Sequence, residues 1–124
     1  MRYALLLHYP EASDDLDPDA LAEGMKAFAL YAKQLTDAGV LRDAEVLAPS
    51  SASTTVTSID GKLRIQDGPF ADTKEQLGGT FIVEVDDLDA AIAWAGKAPS
   101  VNWGSVEIRP VGVHVVDGAW VNAG

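Results

Sequence analysis

Residues 2–9 alternate. Tyr3, Leu5, Leu7 and Tyr9 fall on one side of an extended chain, and Ala4, Leu6 and His8 on the other. Apolar side chains on both sides predict a central, well-covered strand. A polar, acidic loop follows over 10–17, and the period then changes. Leu21, Met25, Phe28, Ala32 and Leu35 recur at helical spacing, with Leu30 and Tyr31 off the stripe. Asp17 is the expected N-cap, Pro18 the first helical residue and Gly39 the stop. A second strand is expected over 40–47. The β-rich runs 54–59 and 62–66 flank Asp60-Gly61, a strong two-residue hairpin signal. Residues 67–79 read as a loop with a short helical turn at 73–77. A strand over 80–85 presents Phe81, Val83 and Val85 on one face. Asp86 or Asp87 then caps a helix with Leu88, Ala91, Ile92 and Ala95 as its stripe, ended by Gly96 and Pro99. Strands over 105–109 and 113–116 complete the pattern.

The order β-α-β, hairpin, β-α-β predicts an α+β fold. Its form is ferredoxin-like: an antiparallel sheet with two helices on one face. One domain over 1–116 and a C-terminal tail over 117–124, containing Trp120, account for the chain. Such a sheet has one bare face. With Leu5, Leu7, Phe81 and Val83 on that face, a second copy would cover it, so a homodimer is expected.

Composition narrows the partners. Of the 124 residues, 48% are apolar, enough for one core. Nine basic against nineteen acidic residues give a net charge of −10, which disfavours nucleic acid and anionic membranes and mildly favours neutral or cationic ligands. Cysteine is absent, which excludes disulfides, thiolate catalysis and zinc–thiolate sites. The longest apolar run, Ala4-Leu5-Leu6-Leu7, is too short to span a bilayer, and nothing resembles a leader peptide; the cytosol is the expected compartment.

Candidate chemistry gathers in residues 67–79. Asp67-Gly68-Pro69-Phe70 combines a carboxylate, a residue free to take positive φ, a fixed φ and an apolar anchor. Asp72 and Lys74 follow as candidate ligand-binding groups. Taken alone, such a turn is more often structural than functional. His8 ends the first strand and has the proton affinity a base needs, with Asp67 as its candidate orienting partner. Arg109 and Glu107 share a strand face, and Arg109 is suited to holding an anionic group. His114 reads as a strand-face residue. His8 with Asp67, Asp72 or Glu45 offers nitrogen and oxygen donors, but no metal-ligand spacing supports a site. Neither the serines at 50, 51 and 53 nor the glycines at 68, 78 and 79 make a nucleophile or phosphate motif. No bound cofactor is expected.

The segment Asp67-Gly68-Pro69-Phe70 with Thr73-Lys74-Glu75-Gln76-Leu77-Gly78-Gly79 resembles the signature of the DGPF proteins of the YCII-related family. Tyr3–Leu7, Val85–Ala91 and Gly104–Pro110 are similar to that family's opening strand, strand-to-helix junction and final strand, so the resemblance covers roughly 2–111. It implies a ferredoxin-like subunit in a dimeric α/β barrel. It supplies no activity: the first-helix histidine of YCII-type relatives has no counterpart in 19–38. Some members are encoded beside extracytoplasmic-function sigma factors, which implies a regulatory setting. Two functions are therefore expected in turn. The first is a small-molecule-binding or regulatory module. The alternative is a cofactor-independent, oxygenase- or isomerase-like enzyme using His8 and Asp67.

Overall fold

In chain order the elements are β1 (Arg2–Tyr9), α1 (Pro18–Asp37), β2 (Leu41–Val46), β3 (Thr54–Ile59), β4 (Lys62–Asp67), β5 (Gln76–Glu84), α2 (Leu88–Ala95), β6 (Ser105–Pro110), β7 (Val113–Val116) and β8 (Ala119–Asn122). Short 3-10 turns lie at Ser50–Ala52 and Pro99–Asn102. The computed structural model describes residues 1–11 and 17–124; most of the expected acidic loop, 12–16, lies outside the described residues.

The principal sheet has the order β2-β5-β1-β6 with every neighbouring pair antiparallel. Without the β3–β4 and β7–β8 hairpins this is the ferredoxin-like order, and the fold is α+β. Both helices pack on one face. Tyr3, Leu5 and Leu7 of β1 and Phe81 and Val83 of β5 are buried with Tyr31 and Leu35 of α1 and Ala91 and Ala95 of α2. That corrects one expectation: Leu5, Leu7, Phe81 and Val83 lie under the helices, not on the bare face. The register places Ala4, Leu6 and His8 of β1 opposite Thr80 and Ile82 of β5 and Glu107 and Arg109 of β6 on the other side. This bare face is half-buried and mixed in character, with an Arg2–Glu84 ion pair at one end.

Local chemistry explains the element ends. The Asp17 carboxylate accepts from the Asp19 amide at 3.1 Å, an N-cap preceding Pro18. At the other end Gly39 has φ +74°. Val40 N donates to Leu35 O and Gly39 N to Thr36 O, the paired bonds of a Schellman stop. Asp87 caps α2 through the Ala90 amide at 2.9 Å. Asp60 and Gly61 both take positive φ, as a two-residue hairpin turn requires.

Three expectations are revised. No helical turn forms at 73–77; β5 begins at Gln76 and continues the sheet past His8, with a bulge between Leu7 and His8. Residues 117–124 contain β8, paired with β7 around Asp117-Gly118, where both residues again have positive φ. Tyr31 proves to be the core anchor of α1: it is 1% exposed and donates its hydroxyl to Trp94 O at 2.9 Å. Met25, expected in the stripe, is 74% exposed.

Burial pushes the Tyr31 phenol up to about 12. The folded value exceeds the unfolded one, so the resulting stability is complete below pH 10 and disappears as pH rises towards 12. Chemical denaturation from pH 8 to pH 12 is expected to show that loss in the wild type and a shallower one in Tyr31→Phe. Parallel curves for the two would contradict it.

Candidate functional site

No residue in the first half of α1 is fully buried. Tyr31 and Leu35 hold its second half, while Gly24 and Ala27 contribute little volume further up. The outcome is an apolar groove of about 1000 Å³ between α1 and the ends of β1 and β2. Leu21, Met25 and Phe28 line it from the helix, Tyr9 and Val46 from the strands, and Trp103 also contributes to the lining. Among the described residues its charged lining is Glu11 and Glu23. The Glu11 carboxylate accepts from the Ser50 amide at 2.7 Å and from the Ser50 hydroxyl, so the 3-10 turn fixes it at the rim. Burial, and secondarily the Glu11 charge, raise the Tyr9 phenol, which stays a neutral hydrogen-bond donor at physiological pH.

Two glycines set this wall. A Cβ on Gly78 would lie 2.1 Å from Tyr9 Cζ, so the Tyr9 ring rests on bare backbone there. A Cβ on Gly104 would lie 2.1 Å from His8 O and 2.9 Å from Tyr9 Cα. Gly104 thus brings its chain against the end of β1 and carries Trp103 to the groove. Gly78 and Gly79, expected at the end of the 67–79 loop, are instead strand residues crowded by Tyr9 and by Glu45 O.

The site residues expected from sequence do not gather here. His8 belongs to β1 and alternates away from Tyr9, onto the bare sheet face. Its Nε2 is buried without a hydrogen-bond partner among the described residues, 3.5 Å from Glu107 Oε1. Glu107 also pairs with Arg109, so this carboxylate lies between His8 and Arg109. The residue missing from the sequence reading of His8 is therefore Glu107, and the signal was its shared strand face with Arg109. Asp67 does not form an ion pair with His8: it ends β4 opposite Thr54, in a separate two-stranded sheet.

The Asp67–Glu75 segment is an ordered connection. Gly68 takes φ +100°, donates to Ser53 O at 2.9 Å and accepts from Thr55 Oγ1 at 2.8 Å. Gln76 Nε2 donates to Ala71 O and Thr73 O, and Thr73 Oγ1 donates to Glu75 O. Phe70 is 89% exposed and anchors nothing within the described residues; Asp72 and Lys74 are exposed beside it. Among the described residues, no three His, Asp or Glu side chains converge in a way that would hold a metal. None of the described helices is long and apolar enough to cross a membrane.

The architecture is that of a ferredoxin-like α+β domain with a groove on its helical side. Its sequence matches the model of the YCII-related domain over residues 1–113. The chain belongs to the YCII-related family. It is also 33% identical over 92 residues to a protein of Rhizobium meliloti (strain 1021) described as uncharacterized, a match covering 73% of this chain and 74% of the relative.

Proposed function

We propose that this chain is a small-molecule-binding module whose site is the groove between α1 and the ends of β1 and β2. One observation carries the reading: a groove of about 1000 Å³ with apolar walls and, among the described residues, few polar groups and no histidine or basic side chain to pair with its carboxylates. That composition suits retention of a ligand better than its transformation. A ligand-binding role fits the regulatory setting, beside extracytoplasmic-function sigma factors, that the family resemblance implies. Titration with the neutral fluorophore N-phenyl-1-naphthylamine is the test. The expected result is saturable binding at one site per chain, weakened about tenfold or more in Met25→Asp, where a charge is placed against an apolar body. Absence of saturable binding, or equal affinity in the variant, would overturn the reading.

A second copy of the chain completes this module. The bare sheet face is half-buried, and the two hairpins present apolar faces that no described residue covers: Val56, Leu63 and Ile65 on one, Val113, Val115 and Trp120 on the other. A lone two-stranded hairpin is marginal in water, which favours a covering partner. Light scattering at micromolar concentration is expected to give about 26 kDa, twice the 13.1 kDa chain mass. A clean species near 13 kDa would contradict the homodimer.

The alternative, cofactor-independent chemistry at His8, rests on the His8–Glu107 approach of 3.5 Å, with Glu107 rather than Asp67 as orienting group. Equal turnover of quinol and ring-lactone substrates by wild type and His8→Ala would remove it.

A further inference from the structure

The groove has a charge preference that its apolar walls do not by themselves reveal. Among the described residues, Glu11 and Glu23 are the carboxylates that line it, and no basic side chain does. Lys26, the basic residue nearest in sequence on this half of α1, is exposed and outside the lining. Asp17 and Asp19 add negative charge at the adjacent helix start. The Glu11 carboxylate is held in place by Ser50, so its charge is a fixed feature of the rim. Three aromatic rings, Tyr9, Phe28 and Trp103, line the same space. Carboxylates at a rim above aromatic walls attract a cation twice over: by direct charge, and through the negative faces of the rings. An anionic ligand would meet like charge with no described basic side chain in the lining to balance it.

We propose that the groove selects an organic cation with an apolar or aromatic body, of the alkyl- or arylammonium class. The ammonium head lies towards the rim of Glu11 and Glu23, and the body lies along Leu21, Met25, Phe28 and Val46. This rests on the reading of the groove as a ligand site and adds the charge of the ligand to it. The raised Tyr9 phenol, which responds in part to Glu11, agrees with a negative field reaching into the groove.

Three probes that differ only in the head group test it by calorimetry: 4-phenylbutylammonium, 4-phenylbutanol and 4-phenylbutyrate. The expected affinity order is cation, then alcohol, then anion, with about tenfold between cation and anion at low salt, shrinking as salt screens the exposed carboxylates. In Glu23→Gln the ratio of cation to alcohol affinity falls towards one, a loss of up to about fivefold. Equal binding of all three probes would leave the groove as a site but overturn its preference for cations. A cation preference that survives intact in Glu23→Gln and in Glu11→Gln would also overturn it. No binding of any probe would overturn the site and its preference together.

Discussion

Gly104→Ala is expected to destabilise the protein by about 3 kcal/mol, at the upper end of what overpacking costs. The added methyl would stand 2.1 Å from His8 O and 2.9 Å from Tyr9 Cα, and both obstacles are backbone. A flexible side chain could swing aside; the end of β1 cannot, because it is hydrogen-bonded between β5 and β6. Relief therefore requires β6 or the Trp103 segment to move outward. For a chain of this size the loss lowers Tm by roughly 10 °C. Gly24→Ala is the informative contrast. Apart from its chain neighbours and the backbone of its own helix, no described atom lies within 4 Å of its Cβ position, and the site is interior to α1. There alanine is expected to stabilise by about 0.5–1 kcal/mol through helix propensity alone. Thermal melts of the two variants should move in opposite directions. An unchanged Tm for Gly104→Ala would mean that the approach of the Trp103-Gly104 segment to β1 is looser than described.

Phe81→Ala is expected to cost about 3–5 kcal/mol, a large share of the stability of any domain this size. Phe81 is 2% exposed at the centre of the sheet, and its ring meets Tyr31 at 5.3 Å between centroids, tilted by 55°. Removing it empties the space where β5 supports α1. Phe70→Ala, by contrast, deletes a ring that is already in water and should stay within about 0.5 kcal/mol of wild type in the isolated chain. Urea unfolding measures both. Comparable losses in the two would show that Phe70 is covered in solution.

Much of this fold was legible because its signals are local. Asp17-Pro18, Gly39, Asp87 and Asp60-Gly61 each set an element boundary by their own backbone chemistry, and each does so in the structure. Asp117-Gly118 carried the same hairpin signal as Asp60-Gly61 and marks β8 just as well; reading 117–124 as a tail overlooked it. What was not legible depends on contacts distant in sequence. Helical spacing alone marked Leu21 and Met25 as core, yet the sheet is reached through Tyr31 and Leu35 because α1 is anchored by its second half. Gly78 and Gly79 read as loop residues until the Tyr9 ring and Glu45 O are placed against them. Alternation placed His8 and Tyr9 on opposite faces of β1, but it could not say which face held the helices. That one bit separates a histidine in the groove from one on the bare sheet face.

The groove was the least legible feature. None of its walls is a motif, and its lining is drawn from 9–11, 20–28, Val46 and Trp103. The Asp67-Gly68-Pro69-Phe70 signature identified the family while lying at the end of β4, on a hairpin outside that lining. Amide and indole chemical-shift mapping with N-phenyl-1-naphthylamine separates the readings in one titration. The groove account predicts shifts at Tyr9, Gly24, Met25, Phe28 and the Trp103 indole N–H, with His8, Glu107 and Arg109 unmoved. Shifts centred on His8, Glu107 and Arg109, with the groove silent, would contradict it.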